Sequence, residues 1–368
     1  MDNAENNLTL LLCDYLNPDI KALETLLPDF ATAKVLGDLF LNRMQTIAYG
    51  VLSKHQLDNK IGREFRNSLK CSYEQAVQKN ESFFVCLKKV SNFLHKHSDK
   101  YAMLKGAVLC SKYPLGYRMS NDIDLLVRPG DISVIGNTLT DAGFEQGYIK
   151  NDEFVKATRE EIIRTKMSRG ETVPYILQVD LPYMKFLEVD INFSLDYKNS
   201  NNKDIDMMLE CTHNIKIKDF NIPTLQYEDF FIHLCVHLYK EASTMPWVKM
   251  KRDMSLYKFC DIYSVLSIMD TADVYKTFLR AAMLGMDTVC ACAVVWTKQL
   301  FDNTNENAYK LAEKILTENS DMLHTVVSPA QHKLYRYTEL NIKKRFFSKN
   351  RMRLLEEVTD AKNNDETK

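Results

Sequence analysis

Apolar positions along this chain follow two periods, and the change between them marks its organisation. Leu8 to Leu57 reads as helical, with Asn17-Pro18-Asp19 fitting a helix start and Pro28-Asp29 a break before the next helix. Arg63 to His97 reads as one long or broken helix. Its apolar residues Phe65, Leu69, Phe83, Phe84, Leu87, Val90 and Leu94 are expected core contacts. From about Tyr101 the pattern shifts. Ile123 to Val127 is a short run of β-branched and large apolar residues, and Phe186 to Phe193 alternates apolar with polar. Both predict strands, since such side chains suit a pleated, buried surface. A further strand is expected over Val173 to Val179. Pro129-Gly130-Asp131 caps a helix over Ile132 to Ala142, which Gly143-Phe144 ends. The charged insertion Arg159 to Glu171 is expected as a surface loop or short helix, a candidate lid. Helical periodicity returns at Tyr227-Glu228-Asp229, which opens a helix through Lys240. The longest apolar stretch, Phe278 to Leu300, is interrupted by Arg280, Asp287 and Lys298, which predicts a buried core helix rather than a membrane span.

These elements predict an α+β protein. A mixed-sheet core over residues 101–225 is flanked by helical regions over 1–100 and 226–368, the last carrying a basic segment and a polar tail at Asp360 to Lys368.

The candidate chemistry lies where the first strand begins, at Asn121-Asp122-Ile123-Asp124. Strand side chains alternate, so Asp122 and Asp124 point the same way. Two carboxylates at the mouth of an apolar strand repel each other and resist desolvation without a partner. A divalent cation remedies both problems, since Mg²⁺ is held by one or two carboxylates plus substrate phosphates. The bland alternative, a turn followed by a solvated edge charge, has even standing on the pair alone. Upstream, Tyr101 to Leu104 ends at Lys105-Gly106, and a short helix over Ala107 to Lys112 follows. That layout brings backbone N–H groups and a cation towards phosphate, with Gly106 permitting close approach. Tyr113-Pro114-Leu115-Gly116-Tyr117-Arg118 then leads to the acidic strand.

Leu-Lys-Gly-Ala, Tyr-Pro, Gly-x-Arg and Asp-Ile-Asp-Leu-Leu-Val, in this order, resemble the uncharacterised bacterial branch of the nucleotidyltransferase superfamily, which has a DNA polymerase β-like core. The resemblance implies a mixed sheet and a third carboxylate on a later strand. Glu188, Asp190 and Asn192 share one face of the alternating strand, and Asp190 matches the family acid. Against this stands an ordinary half-exposed antiparallel strand with a polar outer face. Two departures stand out: Lys105-Gly106-Ala107 replaces the Gly-Ser of better-studied members, and Asn192 stands where this branch has a His. By resemblance, Asp122, Asp124 and Asp190 are the catalytic and metal-binding candidates for Mg²⁺ or Mn²⁺. Lys105, Gly106, Arg118, Lys258 and Lys240 are the nucleotide-binding ones, and an NTP, with ATP first, is the expected donor. His237, Lys258 and Asp261 match positions of the family's later helices. The implied reaction moves a nucleoside monophosphate to a hydroxyl-bearing small molecule, sugar, peptide or protein, releasing pyrophosphate. Two alternatives stay open: a nucleotide-binding or scaffolding relative, and a phosphohydrolase using the same carboxylates.

Composition adds limits. The 368 residues suffice for two or three domains, and 45% hydrophobic with 26% charged residues is ordinary for a globular protein. A formal net charge of −1 gives no overall attraction to nucleic acid. The nine cysteines show no C-x-x-C pair, which points to reduced thiols and a cytoplasmic setting. Met1 to Thr9 lacks a basic n-region, so no signal peptide is expected. His95 and His97 diverge on a helix, whereas His233 and His237 share a face, and Glu does not follow His233 as a His-Glu-x-x-His site requires. Lys343 to Arg353 is basic, a solvated helix face or else a contact for RNA or an anionic membrane.

Overall fold

The computed structural model describes residues 2–95, 101–195 and 202–358. His97 and the polar tail lie outside them. The chain divides into two compact units, Met1–His233 and Leu234–Lys368.

The first unit is built on a six-stranded sheet. Its strands are β1 (Tyr101–Met103), β2 (Asp122–Val127), β3 (Glu145–Lys150), β4 (Glu153–Lys156), β5 (Tyr175–Leu181) and β6 (Met184–Asn192). Their order is β1-β2-β6-β5-β3-β4, and β2 with β6 forms a parallel pair inside an otherwise antiparallel sheet. The sequence accounts for this contrast. Ile123 to Val127 is buried throughout, as a central parallel strand requires. In β6 the apolar residues Leu187, Val189 and Ile191 are buried, while Glu188, Asp190 and Asn192 on the opposite face are half-exposed. Two further strands, β7 (His213–Ile217) and β8 (Phe220–Thr224), form a separate hairpin. Thr224 Oγ1 ties it to the core by donating to the Met103 carbonyl at 2.8 Å.

The helix Arg63–His95 packs against β6, β8 and the helix Ile132–Asp141. All seven expected core contacts on it are buried. Its buried polar residues each hold a loop: Ser82 donates to the Pro182 carbonyl and Ser91 to that of Asn221, both at 2.9 Å. Asn80 holds the link before β2. Tyr117 of that link packs edge-on against Tyr15 and Tyr73, at 5.6 and 6.3 Å. It sits so close to Gly50 that an added Cβ would lie 2.2 Å from its ring.

Several boundaries differ from expectation. Pro28 lies inside the helix Ile20–Phe30, where it forfeits one backbone donor near the end. The break comes at Ala31, and Thr32 caps the next helix. Phe278 to Leu300 spans two helices, Thr271–Met283 and Asp287–Leu300, separated at Gly285 with φ +66°. The β3–β4 hairpin was not anticipated. It turns on Asn151 and Asp152, with φ +52° and +58°, values that match the twist of two-residue hairpins. Arg159–Arg169 is a helix, started by a Thr158–Glu161 capping box and ended at Gly170 with φ +68°.

The second unit packs its helices around Asp287–Leu300, with Tyr263 stacked on Phe301 at 4.8 Å and Tyr239 on Trp296 at 5.6 Å. It also carries an unanticipated sheet of β9 (Thr325–Ser328), β10 (Lys333–Tyr337) and β11 (Leu355–Glu357), in the order β11-β10-β9. The basic run is solvated only in part, with Lys344, Lys349 and Arg353 exposed. Arg345 is 1% exposed and Arg351 clamps the buried Asp253 carboxylate at 2.6 and 2.8 Å.

Candidate active site

Parallel pairing of β2 with β6 sets Asp124 opposite Asp190 and Asp122 opposite Glu188. Because side chains alternate, all four carboxylates project from one face of two adjacent strands. Sequence spacing had placed Asp122 with Asp124 and Glu188 with Asp190. Spacing alone does not join the two sets; the resemblance grouped Asp190 with Asp122 and Asp124, and strand pairing sets them side by side.

The site holds more negative charge than the chain balances. Lys105 donates to Asp124 Oδ1 at 2.7 Å, and Asn192 reaches the same oxygen at 3.4 Å. Ser120 donates to Asp122 Oδ1 at 2.7 Å. The Asp190 carboxylate accepts no hydrogen bond among the described residues. Its proton affinity accordingly rises well above the ordinary aspartate range, because burial disfavours its charge and Asp124 and Asp122 repel it. Burial also raises Asp124, with Lys105 opposing and Asp122 adding to the shift. Glu188 is raised by burial and then by Asp122. Burial would weaken the Lys105 ammonium, but the attraction of Asp124 outweighs it and its pKa goes up.

Lys105 adopts φ +45° and ψ −116°, a backbone conformation that costs a non-glycine residue on the order of 1–3 kcal/mol and recurs at functional sites. Its neighbour Gly106 is required for a reason other than phosphate approach. A Cβ there would lie 2.0 Å from Ser120 Oγ, so the missing side chain makes room for the hydroxyl that holds Asp122. Arg118 donates to the Met119 carbonyl at 2.5 Å, bracing the link to β2.

Lys258 and Lys240 belong to the second unit. Lys258 is buried and paired with Glu241, with its ammonium over the rings of Tyr257 and Trp247 at 5.7 and 5.9 Å. His237 Nε2 lies 3.4 Å from the same glutamate. Asp261 is buried on the helix Leu256–Leu266, and Lys240 is half-buried on Tyr227–Ala242.

Among the described residues no three His, Cys, Asp or Glu side chains are gathered as a ready metal site. Ser120 engages one oxygen of Asp122, and the Lys105 ammonium one of Asp124. The donor chemistry nevertheless suits a hard divalent cation: acceptor-only carboxylates, an unsatisfied Asp190, and a lysine standing where positive charge is needed. Sequence reading missed Ser120, which no spacing rule marks. It also missed Glu171, whose charge adds to the shift of Asp190.

A mixed α+β fold with carboxylates on adjacent central strands defines a nucleotidyltransferase-like protein. The family of uncharacterised nucleotidyltransferases matches residues 39–302, and the chain belongs to it. No curated protein matches the chain. No helix among the described residues is long and apolar enough to cross a membrane.

Proposed function

We propose that this protein transfers a nucleoside monophosphate from an NTP, with ATP the first candidate, to a hydroxyl-bearing acceptor and releases pyrophosphate. The observation that carries the reading is the register of Asp124 against Asp190, which gathers a buried and three half-buried carboxylates against one bonded ammonium, that of Lys105. Asp122, Asp124 and Asp190 are the residues proposed to hold Mg²⁺ or Mn²⁺. When bound, such ions stabilise the attacking and leaving oxygens of an in-line displacement. In that displacement the acceptor oxygen bonds to the α-phosphorus and the bond to the β-phosphate oxygen breaks. Asp190, opposite Asp124 in the strand register, is the residue proposed to help activate the acceptor hydroxyl. Lys105 offsets phosphate charge, and Arg118 keeps the Tyr113–Ser120 link in place so that Asp122 is pre-positioned. Lys258 and Lys240 are the further residues proposed for the donor's phosphates. A cytoplasmic setting accompanies this reading, in keeping with nine cysteines none of which forms a disulfide.

The Lys105–Asp124 ion pair favours a second reading, a relative that binds nucleotide without turnover. Pyrophosphate release from each NTP in turn, with Mg²⁺ or Mn²⁺ and a cell extract supplying acceptors, separates the two. Release with one NTP, lost in Asp122→Asn and Asp124→Asn, supports transfer. Metal-dependent NTP binding without release supports the second reading. Release unchanged in both variants sinks the proposed site, and orthophosphate in place of pyrophosphate identifies a phosphohydrolase.

A further inference from the structure

Lys105 holds two roles that exclude each other. Its ammonium donates to Asp124 Oδ1 at 2.7 Å, yet nucleotidyl transfer calls for it at the donor's phosphates. The pair is enclosed, with the Lys105 side chain 19% exposed and that of Asp124 7%. Asn192 approaches the same Asp124 oxygen at 3.4 Å.

The backbone of Lys105 is fixed on both sides. Leu104 donates its amide to the Asp124 carbonyl at 2.9 Å, and the Lys105 carbonyl accepts from the Leu109 amide at 2.8 Å. These bonds hold the residue at φ +45° and ψ −116°, a conformation that persists only where its surroundings over-determine it. Movement therefore belongs to the side chain, a flexible stem that ends in a rotatable ammonium.

A divalent cation and this ammonium carry like charge and claim the same carboxylate. Asp124 stands opposite Asp190 in the strand register, and the Asp190 carboxylate accepts no hydrogen bond among the described residues. An ion drawn to both carboxylates lies within reach of the Asp124 oxygens. At so short a range, and shielded from water, an ammonium left on Asp124 repels it strongly.

We propose that Lys105 is the internal cation of this site and is exchanged for the metal: a divalent ion bound at Asp124 displaces the Lys105 ammonium, which turns to the phosphates of the donor. The exchange concerns metal binding alone, and the turn towards phosphate rests on the nucleotidyl-transfer reading.

Two measurements on the full chain test the exchange without turnover. Acetic anhydride labelling read by mass spectrometry follows the Lys105 ammonium in the native protein, with the exposed Lys54 as control. Lys105 is expected to label slowly in EDTA and several-fold faster with saturating Mn²⁺, while Lys54 does not change. Inorganic tripolyphosphate, with Mn²⁺ in excess, is expected to protect Lys105 again. Mn²⁺ affinity is read by electron paramagnetic resonance. Lys105→Met is expected to bind Mn²⁺ about ten-fold more tightly than the native chain, and Lys105→Arg, which keeps the charge, close to native. If Lys105→Met does not fold, the labelling decides. Lys105 labelling that Mn²⁺ leaves unchanged overturns the exchange, as does Mn²⁺ affinity equal or weaker in a folded Lys105→Met, or a native chain that binds no Mn²⁺. Labelling that stays fast with tripolyphosphate bound overturns the turn towards phosphate. An ammonium released by Mn²⁺ in a protein that yields no pyrophosphate from any NTP counts against the transfer reading alone.

Discussion

Two ionic clusters in this protein, one partly and one fully enclosed, are balanced in opposite ways. In the first unit, Asp124, Asp190, Asp122 and Glu188 share a sheet face with one directly bonded ammonium, that of Lys105. In the second unit, Asp253 is clamped by two nitrogens of Arg351. Beside it, Arg345 donates to the Leu323 carbonyl at 3.1 Å and lies 4.3 Å over the Tyr337 ring. Burial lowers Arg345 to about 10, with Tyr337 and Asp253 opposing the shift. The contrast separates structure from function. A cluster whose charges find partners within the chain holds loops together. One whose charges do not, at the ends of central strands, fits the proposed role of receiving a charge from outside.

The largest effect is expected at the unbalanced cluster. Asp124→Asn should reduce pyrophosphate release on the order of 10³-fold, equivalent to about 4 kcal/mol of transition-state stabilisation. Urea unfolding should show the protein still folded, and activity within ten-fold of native would remove Asp124 from the chemistry. At the balanced cluster the consequence reverses. Arg351→Ala leaves the Asp253 carboxylate buried and alone, and should destabilise by about 3–5 kcal/mol in urea unfolding. An unchanged midpoint would deny that this pair is structural.

Mn²⁺ offers a test that distinguishes the clusters directly. At a hundred-fold excess over its dissociation constant it should stabilise the native chain by roughly 2.7 kcal/mol. Asp124→Asn should abolish that increment, and a substitution at the second cluster, if it folds, should keep it. Equal increments in the native chain and Asp124→Asn would place the metal elsewhere.

The smallest effect concerns pH. Because the folded Asp190 binds its proton more tightly than the unfolded one, the folded state holds more protons above the ordinary aspartate pKa. Native stability therefore falls as pH rises from that value through the raised folded pKa. Asp190→Asn should melt higher than the native protein at neutral pH, with the difference closing as pH falls towards the ordinary aspartate range. Parallel melting curves across that range would show that Asp190 is ionised without penalty.

Much of the first unit was legible in the chain. The core residues of Arg63–His95, the two key strands and the shared face of Asp122 with Asp124 follow from periods of 3.6 and 2, which are local properties of the backbone. The family motif could be recognised because its residues lie within one short stretch. Elements held by turn conformation were harder to read. Asn151-Asp152 and Gly285 reverse or break the chain through positive φ, which apolar periodicity does not report. Pro28 was over-weighted for a related reason, since its cost depends on where in the helix it falls.

What the tertiary structure alone decided is pairing between distant segments. Residues 122 and 190 meet because β6 adds beside β2, and register, not spacing, sets Asp124 against Asp190. The same holds for Ser120 in the space left by Gly106, for Asn80 at the link to Asp122, and for Arg345 and Arg351 in a core. Side-chain type and local period determine which elements form and which face is apolar. The cost of a buried charge depends on what lies opposite it, and that is known only once the chain has folded.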